Sequence, residues 1–243
     1  MNIERYLEIQ KRCTVDSNTF LHESKVSPDK FRLEDFIEES TDKRKIKRIS
    51  HSFSTNKIIG ALQSDEIGTS ILINSSVDKF AQNLGSTHEL SHDSLHLNRV
   101  TPQSFSDGVN NLYKDSQILI EQEANTCGMF YFIPDISLYS VLTESKVVYS
   151  DLLQLFRIED WLLTRRIERY LQLNCQLPFN EAETILKMFK EKTRFQSTSM
   201  LQEIIEMDIF SNPTIQMYQE TKKFNLKTNV RSDFNSYSLS VPV

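Results

Sequence analysis

The residues with the clearest chemical potential lie in the segment 87–96, which contains the pattern H-E-x-x-H. On a helix, His88 and His92 are four positions apart, so both imidazoles leave one face and can bind the same Zn²⁺. Glu89 follows the first histidine and can reach a water at the open metal position. Bound Zn²⁺ lowers the pKa of that water from about 15.7 toward about 7, and Glu89 can accept its proton. The pattern therefore predicts metal-assisted hydrolysis with Glu89 as the general base.

A tetrahedral catalytic zinc takes three protein ligands and one water, so a third ligand must come from elsewhere in the chain. The segment 118–134 has helical apolar spacing and ends at a proline. Glu121 is the preferred third ligand. Glu123 points to a different face and would take this role if the helix were rotated.

Two further polar residues are predicted to support the ligands. Asn125 lies four residues after Glu121, on the same helix face, and can bond the second ring nitrogen of a histidine and fix its tautomer. His96 continues the histidine face by one more turn. Because three ligands already serve the metal, we predict a supporting or structural role for His96.

The elements that must position these residues are a small sheet and a helix. Residues 58–62 and 69–73 are apolar runs separated by the turn-forming residues 65–68, a pattern typical of two strands. The edge of such a sheet could hold a peptide substrate as an added strand. Residues 77–97 are predicted to form the helix that carries the histidines.

The run from Gly60 to Pro134 resembles the ImmA/IrrE family of metallopeptidases. The resemblance rests on a strand ending at residues 73–74, the helix with residues 87–96, and the apolar helix 121–134, in that order. Two departures leave the ligands untouched. Ser91 stands where the family usually has Gly, and Cys127 or Gly128 stands where it has a small residue such as Ala.

This resemblance implies a mainly helical, zincin-like α+β fold and a cytoplasmic, zinc-dependent peptidase. It also implies a protein substrate: family members in phages, mobile elements and stress responses cut a helix-turn-helix repressor and so release transcription. Carried over by position, it gives His88, His92 and Glu121 as zinc ligands and Glu89 as the general base.

Composition narrows the class of protein. The 243 residues are 39% hydrophobic, enough for a sizeable core, and the formal net charge is −5. This acidic balance argues against a general nucleic-acid binder. No apolar run approaches the roughly 20 residues of a membrane span, and the first residues do not resemble a signal peptide. The three cysteines lack metal-type spacing, so we expect reduced thiols and a cytoplasmic protein.

One basic cluster at residues 43–48 leaves two interpretations open. It could contact an acidic or nucleic-acid partner, or it could be the solvated face of a helix. The carboxylates that precede it nearly neutralise its charge, so we favour the solvated helix face.

Residues 147–156 and 161–171 predict two further helices, with Ser150 or Asp151 as an N-cap. Such a pair could be a helix-turn-helix unit whose arginines face DNA, or it could pack on the catalytic domain. The three arginines alternate with acidic residues, which favours packing; they are Arg165, Arg166 and Arg169.

We divide the chain into an N-terminal helical segment (1–50), a metallopeptidase domain with the helical pair (51–174) and a C-terminal region (175–243). In the last region, residues 181–189 and 200–210 have helical spacing, whereas the tail from residue 221 is polar and weakly periodic. The C-terminal region is a natural place for specificity toward a substrate or partner.

The sequence leaves two questions about function open. The protein could keep the metal site and act as a non-cleaving antirepressor, or it could be a transcription factor that reads DNA through the helical pair. A peptidase would also need a donor to stabilise the oxyanion. His51, Tyr131 and Tyr149 are possible donors, and the sequence does not choose among them.

Overall fold

A computed structural model describes residues 1–97, 105–107, 119–144, 146–207 and 215–216, and for 105–107 it describes the backbone alone. Within these ranges, no helix combines the length and the apolar character needed to cross a lipid bilayer. One continuous cluster of buried apolar side chains extends from Tyr6 near the N-terminus to Ile215. The three-part division of the chain stays a prediction.

The described ranges are mainly helical. The α-helices are α1 (Ile3–Glu23), α2 (Leu33–Lys43), α3 (Lys79–His96), α4 (Leu119–Phe132), α5 (Asp135–Leu142), α6 (Tyr149–Phe156), α7 (Asp160–Leu173), α8 (Phe179–Glu191) and α9 (Met200–Met207), with a short 3₁₀ helix at Pro28–Lys30. The strands are β1 (Lys47–His51), β2 (Gly60–Asp65), β3 (Gly68–Asn74) and β4 (Phe105–Asp107). These elements confirm the mainly helical α+β fold with a small sheet and additional C-terminal helices.

The sheet has the strand order β1-β3-β2-β4 and is mixed. β2 and β3 form the expected antiparallel hairpin. At its turn, the Asp65 carboxylate accepts hydrogen bonds from the backbone N–H groups of Ile67 (2.8 Å) and Gly68 (3.1 Å). Gly68 has a φ of 147°, a backbone conformation that residues with a Cβ atom rarely adopt. β1 pairs with β3 in parallel, and β4 pairs with β2 antiparallel.

The basic cluster at residues 43–48 is not the helix face that its pattern suggested. Lys43 is the last residue of α2, and Lys45 has a left-handed backbone with a φ of 57°. This conformation ends the helix, and the chain turns into β1 at Lys47. Lys43 pairs with Glu23 and Glu39, so part of the cluster is neutralised by neighbouring carboxylates.

α3 is the predicted histidine helix, and it begins two residues later than expected. The Asp78 side chain caps it by accepting a hydrogen bond from the Ala81 N–H at 2.8 Å. The helix lies very close to the chain that enters β2. A Cβ on Gly85 would lie 3.0 Å from the carbonyl oxygen of Ile59, so glycine permits this approach.

α4 packs between α3 and α1 and is buried along most of its length. Tyr6 of α1 meets Phe130 of α4 edge to face, with ring centroids 5.4 Å apart. Cys13 of α1 and Cys127 of α4 are both free, and their Sγ atoms are 2.9 Å apart. The N-terminal helix therefore shares a core with the helix predicted to supply the third metal ligand.

The helical pair α6–α7 forms as predicted, but its cap differs. Val148 is the N-cap residue, and Asp151 lies inside the first turn, where its carboxylate accepts a hydrogen bond from the Val148 N–H at 3.2 Å. Ser150 lies within the helix. The expected N-cap was therefore wrong by two to three residues, because a carboxylate in the first turn can satisfy the same free N–H groups.

Two of the C-terminal predictions fall on described residues. The segment 181–189 lies within α8, and the segment that begins at residue 200 forms α9 up to Met207. The polar, weakly periodic tail from residue 221 lies outside the described residues.

Candidate metal centre

His88 and His92 lie one turn apart on α3, and both side chains are fully buried. Their Nε2 atoms are 2.9 Å apart, so the two rings converge on one point. Helical spacing predicted this arrangement, and α3 packs against the sheet and α4.

Glu121 completes the group from the first turn of α4. Its Oε2 atom is 3.2 Å from His88 Nε2 and 3.4 Å from His92 Nε2. These three residues could hold a metal ion. Ligands about 2.1 Å from a tetrahedral zinc are separated from one another by roughly 3.4 Å. The observed separations are close to that spacing, and two imidazoles with one carboxylate are a ligand set that catalytic zinc accepts.

Asn125 orients His88. His88 Nδ1 lies 3.0 Å from Asn125 Oδ1. An amide oxygen can only accept, so Nδ1 carries the proton and donates it. The neutral ring then has its lone pair on Nε2, which faces His92 and Glu121. Asn125 thus has the supporting contact predicted from its spacing after Glu121.

His92 is held in the neutral form. Burial lowers its pKa to about 4, although the Glu121 carboxylate acts in the opposite direction. Above that pH the ring carries no net charge and has one nitrogen lone pair to offer. A neutral imidazole is the form that binds metal ions.

His96 and Glu123 meet behind the histidine pair. His96 Nδ1 is 3.0 Å from His92 Nδ1, and His96 Nε2 is 3.2 Å from Glu123 Oε2. Glu123 also receives two hydrogen bonds from Arg5, at 2.9 and 2.6 Å. Burial opposes ionisation of Glu123, but the bonds from Arg5 and His96 outweigh it and hold its pKa below the usual value.

These contacts distinguish the two glutamates of α4. Glu121 lies with the Nε2 atoms of His88 and His92, whereas Glu123 lies with His96 and Arg5. The helix is therefore rotated so that the preferred third ligand faces the histidine pair.

Glu89 is buried, with about 1% of its surface exposed, and its side chain lies against the first residue of β2. A Cβ on Gly60 would come within 3.2 Å of both Cγ and Oε1 of Glu89. Contacts this short require the neighbour to move. Glycine at position 60 therefore leaves room for the carboxylate in its observed position.

The three possible oxyanion donors have other described contacts. The Tyr131 hydroxyl donates to Asp16 at 2.5 Å, and the Tyr149 hydroxyl donates to the Asp160 carbonyl at 3.1 Å. His51 lies on exposed β1, where its ring meets Phe53. None of these described contacts involves the three clustered ligands.

Sequence reasoning missed Arg5 and the role of Gly60. Arg5 is 118 positions from Glu123, and a lone arginine in an amphipathic helix is not a signal for a metal site. In the sequence, Gly60 appeared only as a residue within the predicted strand 58–62 and at the start of the family resemblance. Both become apparent once the helices and the sheet are assembled.

Comparison with known proteins gives no family assignment: no family model matches the chain, and a search of curated proteins found no match. The resemblance to the ImmA/IrrE family therefore rests on the three sequence blocks described above and stays a prediction.

Proposed function

We propose that this protein is a zinc-dependent endopeptidase. The observation that carries the proposal is the convergence of His88 Nε2, His92 Nε2 and Glu121 Oε2 within 2.9 to 3.4 Å of one another. The Asn125 contact puts the lone pair of His88 on Nε2, and a cation between this atom, His92 Nε2 and the Glu121 carboxylate would relieve the repulsion among their electron pairs. The low pKa of His92 argues against a second, charge-bearing proton on that ring.

His88, His92 and Glu121 would hold the ion. Bound Zn²⁺ would supply a Lewis acid that activates water and polarises a carbonyl. Glu89 would accept a proton at its carboxylate and return it to the leaving amine. Its burial against Gly60 keeps the carboxylate in a fixed place. Asn125 holds the His88 ring in the metal-binding tautomer.

The substrate we propose is a helix-turn-helix repressor, and hydrolysis of the repressor would relieve repression. This step rests on the ImmA/IrrE resemblance, because a fold or a metal site does not define a substrate. The buried Arg166 weakens the alternative in which the helical pair reads DNA: its side chain is 0% exposed and cannot reach a duplex. A gel shift with genomic DNA at moderate salt should therefore show no complex.

The test is co-expression of the chain with helix-turn-helix repressors from the same genome, with full-length repressor followed by immunoblot and new termini identified by mass spectrometry. Wild-type protein should shorten one repressor, and Glu89→Gln and Glu121→Gln should not. Metal analysis of the purified protein should find about one zinc per chain in wild type and in Glu89→Gln. Absence of zinc from purified, zinc-supplemented wild type would reject the proposal.

The same experiment separates cleavage from simple binding. A non-cleaving antirepressor would relieve repression of a reporter equally well as wild type or as Glu89→Gln, and the repressor would keep its full length. A peptidase loses both effects in this variant.

A further inference from the structure

The second nitrogen of His92 leads away from the metal group along a line of polar side chains. His92 Nδ1 is 3.0 Å from His96 Nδ1, His96 Nε2 is 3.2 Å from Glu123 Oε2, and Arg5 holds Glu123 through both of its oxygens. The line connects three helices: α3, α4 and α1. His92, His96 and Glu123 are all at least nine-tenths buried.

For a neutral His96, hydrogen-bond chemistry fixes the direction of every bond in this line. Glu123 receives two N–H groups from Arg5, so it is a carboxylate and can only accept. His96 must therefore donate to it from Nε2. A neutral His96 then has its lone pair on Nδ1 and accepts there.

The bond between His96 Nδ1 and His92 Nδ1 determines the tautomer of His92. Because His96 Nδ1 accepts, His92 must donate from Nδ1. The lone pair of His92 is then on Nε2, the atom that faces His88 and Glu121. The opposite direction would put a proton on His92 Nε2 and exclude that atom from the metal.

We propose that Arg5, Glu123 and His96 are positioning residues that fix the tautomer and the ring orientation of His92. This inference rests on the proposed metal site. It gives His88 and His92 different supports: Asn125 holds the first directly, and the second is held through a histidine, a carboxylate and a guanidinium. It also assigns the N-terminal helix α1 a part in metal binding.

The test uses the full chain freed of metal, with Zn²⁺ affinity measured by competition against a chromophoric chelator. Loss of a supporting partner typically weakens metal binding by about 10- to 100-fold. We expect Glu123→Gln and Arg5→Met to show losses of this size and to change the visible absorption of the Co²⁺-substituted protein. Arg5→Lys, which keeps the charge but not the paired bonds, should lie between wild type and Arg5→Met.

Glu8→Gln is the matched control. Glu8 is exposed and bonds Arg5 at 2.9 Å, like Glu123, but its only described contact with the line is through that arginine. The Glu8→Gln variant should have the Zn²⁺ affinity and the Co²⁺ absorption spectrum of wild type. Circular dichroism of the metal-free proteins shows whether each variant is folded; Arg5 is partly exposed, so Arg5→Met provides the test even where Glu123→Gln does not fold.

NMR spectroscopy of the wild-type zinc form with ¹⁵N-labelled histidine reports directly which ring nitrogen of each histidine is protonated. We expect His96 protonated on Nε2 and His92 protonated on Nδ1. The inference is overturned by His96 protonated on Nδ1, or by unchanged affinity and spectra in Glu123→Gln and Arg5→Met. Zinc binding by wild type together with either result leaves the proposed function standing, whereas absence of zinc binding by wild type rejects the proposed function itself.

Discussion

Two polar clusters in the interior of this protein differ in their charges: one contains a cationic side chain, and the other consists of electron-pair donors. In the first, the Arg166 guanidinium on α7 pairs with Asp135, donates to the Ile133 carbonyl at 2.9 Å and lies 4.9 Å from the centroid of the Phe130 ring. In the second, His88, His92 and Glu121 bring three electron-pair donors together. The first cluster contains its own cation, and the second has the form of a site that receives one.

This difference separates structure from function among residues that look alike in the sequence. Arg166 lies in a helix with two other arginines and was a candidate for DNA contact, but its contacts are those of a residue that joins α7 to α5. Gln10 adds a hydrogen bond to Asp135 at 2.6 Å and extends this cluster to α1. Disruption of the first cluster should cost stability, and disruption of the second should cost metal binding and activity.

The largest expected effect is on catalysis at Glu89, which follows the ligand His88 in the sequence. Glu89→Gln removes the proposed general base, and loss of such a group lowers kcat by about 10² to 10⁴-fold. Steady-state cleavage of the identified repressor measures this. Zinc content and the melting temperature should stay at wild-type values, and normal turnover by this variant would show that Glu89 is not the base.

Substitution of Arg166 in the first cluster should lower the free energy of unfolding. Arg166→Met leaves the Asp135 carboxylate buried without its cation, and removal of one partner of a buried pair costs about 3–5 kcal/mol. Urea unfolding measures this. Arg169→Met on the same helix is the control, because Arg169 is half-buried and bonds Gln172, and it should change the unfolding free energy by much less. Equal losses in the two variants would contradict the comparison.

Metal removal should affect the second cluster and the stability of the whole fold together. A ligand present at about 100 times its Kd stabilises the folded state by about 2.7 kcal/mol. A chelator should therefore lower the melting temperature of wild type in scanning calorimetry. Glu121→Gln lacks a ligand, so its melting temperature should not depend on zinc; a zinc-dependent shift of wild-type size would count against the assigned ligand set.

The smallest expected effect is a fall in kcat on substitution of Gly60, and it tests whether this glycine positions Glu89. A methyl group there would press on Glu89 Cγ and Oε1 from 3.2 Å, so Gly60→Ala should displace the carboxylate by a few tenths of an ångström. We expect kcat to fall by roughly tenfold, since misplacement by about 1 Å costs about 10²-fold. Zinc affinity should not change. Gln63→Ala, at an exposed position of the same strand, should leave kcat as in wild type.

Local patterns were sufficient for several features. The spacing of His88 and His92, the β2–β3 hairpin and the buried helix α4 follow from periods of 3.6 and 2 residues and from turn residues, and all were predicted. Strand β1 was not, because the basic cluster at 43–48 reads as a helix face until its pairing with β3 is known. The predicted N-cap of α6 differed from the observed one because several polar residues near a helix start can accept hydrogen bonds from its free N–H groups.

The sequence by itself determined that two imidazoles leave one helix face one turn apart, because helix geometry places residues i and i+4 together. Only the tertiary structure decided which glutamate joins them, because the rotation of α4 is set by how its side chains pack between α3 and α1. The same packing brings Arg5 to Glu123 across 118 positions of the chain. Contacts between distant segments depend on how helices dock, and no local pattern contains that information.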